Sequence, residues 1–377
     1  MLNKKQNFEA AIETEWSHIK VHDAHTKEEK EAIYHFRYQI HIREMKRIIP
    51  STDHYRKVII DELDSWSQQA YAQLANGRIV GAVRATFGRA NDFPAGLAKT
   101  FQLERFQRFS PNTKNICFGT KMMVDPLYRK TPVFFHLLTH CYKFLREHNI
   151  HFNLSGCNPY LLPMYEQLGY QSFAPGFQDP GYGFVVPILL MPEDIEHLSA
   201  IRSPYLRIAK KYTNSTAARK WYLTNFPEAS HYPVSTFTSE QQRWSFVKQR
   251  INDPLTALTA LKSLDENEVK ILLHMATPVE CRQGSEFIHQ GDVCNELNLL
   301  ITGIMSIANH AGHVVRAKCG DILGTVGLFA QTHHQVSAIA VEDCEILTIS
   351  RIPFEKLQRS HPELSTKLRL NLYKEAQ

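Results

Sequence analysis

Between Gly284 and Gly324 the chain is punctuated by Gly284, Gly291, Gly303, Gly312, Gly320 and Gly324, with short alternating apolar and polar runs between them. Such runs are too short for helices, and glycine permits the left-handed turns that end strands. The block therefore reads as many short antiparallel strands forming a small β-barrel or jelly roll. A helix is expected on each side of it, Glu266 to Met275 before and about Pro353 to Tyr373 after.

Upstream the texture is mixed α/β. A helix is expected from about Lys27 to His35, with Tyr38, Ile40 and Ile42 alternating after it. Ala70 to Ala75 and Ile79 to Phe87 read as strands joined at Asn76-Gly77-Arg78, a strong hairpin signal. Ile116 to Val124 is a further strand, stopped at Asp125-Pro126, and Phe134, Leu137, Leu138, Cys141, Tyr142 and Leu145 then recur at helical spacing. A strand near Phe152, a short helix ending at Gly169 and a strand Gly183 to Leu189 complete a mixed central sheet flanked by helices. The expected domains are residues 1–200, a helical connector over 201–260 that holds Trp221, Tyr222, Phe226, Trp244 and Phe246, and residues 261–377.

No apolar run approaches the roughly 18 residues of a membrane span, and the opening MLNKKQNFEAAIETEW has no signal-peptide core. The expectation is a cytoplasmic protein. A net charge of +5 permits weak attraction to nucleic acid, anionic lipid or an acidic carrier protein, and demonstrates none of them. The cysteines at 117, 141, 157, 281, 294, 319 and 344 lack the close pairs of a zinc knuckle. They read as reduced packing residues, and no metal site is expected.

In KMMVDPLYRK a strand runs straight into a helix, a junction where backbone amides and the positive helix end can hold a phosphate. Arg129 and Lys130 add donors beside it. The alternative is a surface turn with solvated cations. In DELD, the spacing of Asp61 and Asp64 can put both carboxylates on one side of a turn or short helix, where they can act catalytically by holding an acceptor ammonium and relaying its proton, or simply be solvated. Arg84 lies in an otherwise apolar strand and needs a partner, either an acceptor carboxylate or Asp61 and Asp64.

Residues 30–190, with NPYLLPMYEQLGY as closing motif, resemble the Gcn5-related N-acetyltransferase (GNAT) superfamily. Within it they are most similar to the long-chain branch of acyl-homoserine-lactone synthases and N-acyl amino acid synthases. The resemblance implies an N-acyltransferase in which an amine attacks an acyl thioester without a covalent enzyme intermediate. It makes Tyr165 the acid that protonates the leaving thiolate and places Asn158 in the same motif. Backbone amides at Met123 and Val124 would polarise the carbonyl. FRYQIHIREM, with Arg37 and Tyr38, resembles the gate over the acyl chain; in LERF the carry-over is clear for Arg105, while Glu104 is displaced from the family's glutamate position. The phosphate loop at Arg129, Lys130, Thr131 and Pro132 lacks the family's glycines. The implied donor is acyl-CoA or an acyl carrier protein, and the acceptor a small amine such as an amino acid.

GSEFIHQGD, LNLLITGIMSI, GDILGTVGLF and VEDCEILTISRIPFEKL resemble a cyclic-nucleotide-binding domain. After Gly324 the family's glutamate is replaced by Thr325, and before Ser337 its arginine is replaced by Val336. A buried cyclic phosphate would lose its ion pair, so cyclic nucleotide binding is not expected. His333 and His334 could supply positive charge at mildly acid pH, and otherwise read as solvated residues at the loop tip. The chain reaches Gln377 after one helix, so no DNA-binding module is expected, while a homodimer through that helix stays open. Two other readings also stay open: a cyclic-nucleotide-controlled protein lysine acetyltransferase and a non-catalytic scaffold.

Overall fold

Residues 19–129, 131–228, 240–251 and 253–375 are described in the computed structural model. Contacts divide the chain into two units, Met1–Ser155 with Leu189–Asn225 and Gly156–Ile188 with Phe226–Gln377.

In the first unit Thr26 starts the helix Lys27–Tyr38 through a capping box: its hydroxyl accepts from the Glu29 amide at 3.1 Å and the Glu29 carboxylate accepts from its amide at 2.8 Å. The helix passes directly into a π-helix, Gln39–Glu44. The alternation of Tyr38, Ile40 and Ile42 is therefore not extended chain. A short apolar run does not distinguish the two, and packing decides: Ile33, Phe36 and Ile40 share one buried cluster with Tyr71, Ala82 and Met123.

The strands are β1 (Lys20–Asp23), a small hairpin of β2 (Thr52–Asp53) and β3 (Val58–Ile59), then β4 (Gln68–Gln73), β5 (Ile79–Gly88), β6 (Ile116–Val124) and β7 (Phe152–Cys157). They pair in the order β1-β4-β5-β6-β7, antiparallel up to β6 and parallel between β6 and β7. The hairpin turns where expected, with Gly77 at φ +86°. The helix Val133–Glu147 lays Val133 and Leu137 on Val80, Val83 and Val124. Gly81 allows that approach, because a Cβ there would stand 2.7 Å from Leu137. The mixed sheet flanked by helices is as expected. Part of the predicted connector also belongs here, since Tyr222 of the helix Ala217–Asn225 stacks on Phe106.

The second unit opens with the helix Leu162–Leu168, ended by Gly169 at φ +115°, followed by β8 (Gln171–Ser172), β9 (Phe177–Asp179) and β10 (Gly183–Leu190). After the helices Glu240–Arg250 and Glu266–His274 come β11 (Ala276–Cys281), β12 (Glu286–Ile288), β13 (Val293–Cys294), β14 (Glu296–Thr302), β15 (Met305–Asn309), β16 (Val314–Ala317), β17 (Ile322–Leu323), β18 (Thr332–His333), β19 (Val336–Ala340) and β20 (Cys344–Ser350). They form two open four-stranded sheets, β11-β20-β14-β17 and β12-β19-β15-β16, and a ribbon β13-β18.

The jelly-roll or barrel expectation is corrected by this pairing. Closure requires the last strand of a sheet to bond the first, and among the described residues no sheet does so; each keeps two edges. Turn spacing sets the number and length of strands but not their partners. The single closing helix is also corrected to two, Arg351–Ser360 and Pro362–Glu375. Pro362 has no amide proton to continue the first helix and fits the first turn of the next. Leu357, Leu364 and Leu368 of this pair are buried in a core with Leu297, Leu299, Leu347 and Ile349, whereas Leu370 is exposed.

Candidate active site

Across the hairpin and β6 one register row reads Gln69, Arg84, Thr120: Gln69 lies opposite Arg84 and Arg84 opposite Thr120. Arg84 is 2% exposed, too deep for a solvated guanidinium. Its Nε donates to the Thr120 hydroxyl at 2.9 Å, and its Nη1 pairs with Asp64 at 2.9 Å and with Asp61. Asp64 lies comparably deep between two arginines, because Arg37 Nη1 reaches its two oxygens at 2.9 and 2.8 Å. Arg37 also donates to the Gln69 side chain at 3.0 Å and the Ile59 carbonyl at 3.3 Å. Lys121 Nζ stands 3.3 Å from Asp61 Oδ2. Within these five ionic groups three cations face two carboxylates.

Local structure explains the meeting. Asp61 is the N-cap and Asp64 the third residue of the 3₁₀ helix Glu62–Ser65, in a reciprocal capping box. Both carboxylates thus face one way, as the spacing allowed. Lys121 arrives by a different device: the β5–β6 register shifts between Ala82 and Arg84, and Lys121 sits in that bulge at φ +53°. Bulges re-aim side chains in this manner.

Burial raises the Asp61 carboxyl, but Arg84 first and then Lys121 outweigh it and hold the group at about 2. An anion that acidic holds a cation well and keeps a proton poorly. Arg37 is lowered by burial, offset in part by Asp64, and Arg84 is raised by Asp64 and Asp61 against its own burial. Asp61 is more acidic folded than its ordinary 3.8, so its stabilisation is complete above pH 4 and disappears as pH falls to about 2. Wild-type unfolding free energy is expected to drop by ~2 kcal/mol across that window. Acid titration of Asp61→Asn should lack this increment; an unchanged slope would refute the assignment.

The strand edge next to the cluster is also defined. The Asp125 amide donates to the Val80 carbonyl at 2.9 Å, so alternation turns the Val124 amide and carbonyl away from β5 and the Met123 amide toward Ala82. On that far side the ladder to β7 runs only from Ile116 to Phe118. Val124 therefore offers an amide on an edge, and Met123 contributes its buried side chain instead. The Val124 carbonyl accepts from Arg129 Nε at 3.1 Å, while Arg129 Nη1 pairs with Glu44 at 2.8 Å. Beside Arg129, the Glu44 carboxylate offsets much of the expected phosphate attraction. Thr131 bonds the Tyr128 carbonyl at 2.7 Å, and Lys130 lies outside the described residues.

Of the other expected residues, Tyr38 is buried with its hydroxyl 3.4 Å from His54. Glu104 is exposed on the helix Leu103–Gln107, and Arg105 bonds Gln102 and the Asn225 carbonyl, each at 2.6 Å. In the second unit Asn158 donates to the carbonyls of Tyr182 at 2.6 Å and Phe184 at 2.9 Å, and Tyr165 is buried edge-on to Tyr170 at 5.3 Å. Burial raises the thiols of Cys117 and Cys157, which weakens either as a nucleophile. Sequence reasoning passed over Gln69 and Lys121. Gln69 carried little signal, since β4 reads QQAYAQ and Gln68 stands beside it; Lys121 carried none, because a bulge depends on its partner strand.

At the turn in the second unit, Gly324 has φ +71° and a Cβ there would meet the His334 ring at 2.6 Å. His334 is 4% exposed, not a solvated tip. The turn is packed from within the chain: the Thr325 amide faces His334 Nδ1 at 3.3 Å and the Thr325 hydroxyl accepts from the Gln335 amide at 3.0 Å. Val336 is half-buried, and Ser337 accepts from the Gln290 amide at 3.1 Å. Calorimetry with cyclic AMP and cyclic GMP is expected to show no binding tighter than about 0.1 mM; micromolar binding would contradict it.

The family model described as N-acyl amino acid synthase FeeM matches residues 32–192, and that described as cyclic nucleotide-binding domain matches residues 278–361. The chain joins a GNAT-type N-acyltransferase domain to a cyclic-nucleotide-binding-like domain. Among solved structures it is similar to a putative N-acetyltransferase from Lactobacillus plantarum at 13% identity, covering 46% of this chain and 97% of that one, with TM-score 0.33. It is also similar to the Thermus thermophilus catabolite activator protein at 25% identity, covering 31% of this chain and 57% of that one, with TM-score 0.28. A cyclic nucleotide-binding domain from Methylobacillus flagellatus matches at 17% identity, covering 35% of this chain and 76% of that one, with TM-score 0.31. No curated protein matches. Among the described residues, no helix is long and apolar enough to cross a membrane.

Proposed function

We propose that the N-acyltransferase domain moves a medium or long acyl group from an acyl thioester to the amine of a small acceptor that carries a carboxylate. The observation that carries this reading is the buried cluster of Arg37, Asp64, Arg84, Asp61 and Lys121, with its excess positive charge, on the strand pair that ends at the Val124 edge. In the step itself the amine lone pair attacks the thioester carbon, the carbon–sulfur bond breaks, the sulfur takes a proton and an amide remains. Val124 would polarise the carbonyl through its amide and Tyr165 would supply the proton to sulfur. Asp61 and Asp64 hold the arginines in place rather than carry protons. The domain limits that accompany this reading are residues 1–200 for transfer and 261–377 for regulation.

Thiol release tests it, with acyl-CoA and acyl carrier protein donors of several lengths against a mixed amino acid pool and product masses read out. Acylated amino acids are expected. Arg129→Ala should raise donor KM several-fold with a smaller fall in kcat, since it addresses the donor away from the bond being changed. Acetylation of protein lysines alone would replace this reading with a lysine acetyltransferase, and no consumption of any donor would favour the scaffold.

A further inference from the structure

Within the second unit, the Cys294 thiol, a Glu296 carboxylate oxygen and a His334 ring nitrogen all lie within 4.8 Å of one another. None takes part in the acyl-transfer chemistry above. Each is more than nine-tenths buried, at 0, 8 and 4% exposure respectively.

We propose that Cys294, Glu296 and His334 form a site for one divalent transition-metal ion of the zinc class, with a fourth position left for an exogenous ligand. A thiolate, an imidazole and a carboxylate are the donor types of zinc sites that keep three protein ligands and one open position. Metal–oxygen and metal–nitrogen bonds of about 2.0–2.1 Å at a tetrahedral angle set the two donors about 3.3 Å apart. His334 Nε2 and Glu296 Oε1 stand 3.4 Å apart, near that edge and at the long limit of a hydrogen bond. The Cys294 thiol now donates to the Thr325 carbonyl at 3.0 Å; coordination exchanges that contact for the metal and releases one proton to solvent. Thiolate and carboxylate then balance the charge of the ion, which a buried site requires.

The backbone holds the three residues in place. Val293 and Cys294 pair with His333 and Thr332, the Gly327 amide donates to the Glu296 carbonyl at 2.8 Å, and the His334 amide donates to the Asp292 carbonyl at 2.9 Å. Gly327 is also required, since a Cβ there would stand 2.7 Å from the Cys294 sulfur. The site lies directly behind the Gly324–Thr325 turn. With the metal on Nε2 the ring proton moves to Nδ1, so the Thr325 amide facing it at 3.3 Å must turn away. Metal occupancy is thereby coupled to the turn that the resemblance associates with ligand sensing.

The test is cobalt titration of the full chain carrying Cys319→Ser, which removes the exposed thiol. One equivalent is expected to bind, with a thiolate-to-cobalt band in the near ultraviolet and visible bands of tetrahedral intensity, both displaced by zinc. Cys294→Ser and His334→Gln should each weaken cobalt binding about a hundredfold or more, and His333→Gln should leave it unchanged. Because the buried variants could fail to fold, X-ray absorption of the zinc-loaded chain gives an independent reading, with one sulfur and at least two nitrogen or oxygen neighbours expected. A zinc shell without sulfur, binding equal in Cys294→Ser, or no stoichiometric binding would each overturn the proposal.

Discussion

Asp64→Asn is expected to destabilise the first unit by about 3–5 kcal/mol, the range for removing one partner from a buried ionic network. The two side chains have nearly the same shape, so the loss isolates charge. The substitution would leave Arg37 and Arg84 buried around a neutral amide, with one carboxylate remaining for three cations. Arg84→Met should cost less, because Asp64 keeps Arg37 and Asp61 keeps Lys121. Urea unfolding of both variants at neutral pH measures the difference. Equal losses would mean that the cluster is held by packing and not by its anion. If the proposed acceptor site is correct, folded Arg84→Met should also raise acceptor KM while donor KM stays near wild type.

Tyr165→Phe is expected to lower kcat about a hundredfold, at the modest end of general-acid contributions, with little change in either KM. The ring packs edge-on to Tyr170, and phenylalanine keeps that contact. The decisive reading is the leaving group. Donors with more acidic thiols need less protonation, so the deficit of Tyr165→Phe should shrink with them. A uniform deficit across thiols would assign Tyr165 a packing role only.

Much of the first unit was legible because its signals are local. Asn76-Gly77-Arg78 fixes a hairpin without reference to the rest of the chain, and the spacing of Asp61 and Asp64 already placed both on one side of a turn. An arginine within GRIVGAVRATF could be read as needing partners, since burial without them is too costly. That both carboxylates and Thr120 meet it, and that Arg37 shares Asp64, was not readable. Those contacts join residues about twenty or more positions apart, and their geometry follows from strand register.

The sequence by itself determined most of the elements, their order, and the losses at Thr325 and Val336, because propensity, alternation and the charge of a given residue belong to short stretches; it did not determine the π-helix after Tyr38 or the division of the closing helix at Pro362. Only the tertiary structure decided which edges stay open, that Lys121 enters the cluster through a bulge, and that His334 folds inward beside Glu296 and Cys294. Each of these depends on which distant strand lies alongside. Pairing is chosen by the summed burial of whole faces, a quantity that no local stretch contains.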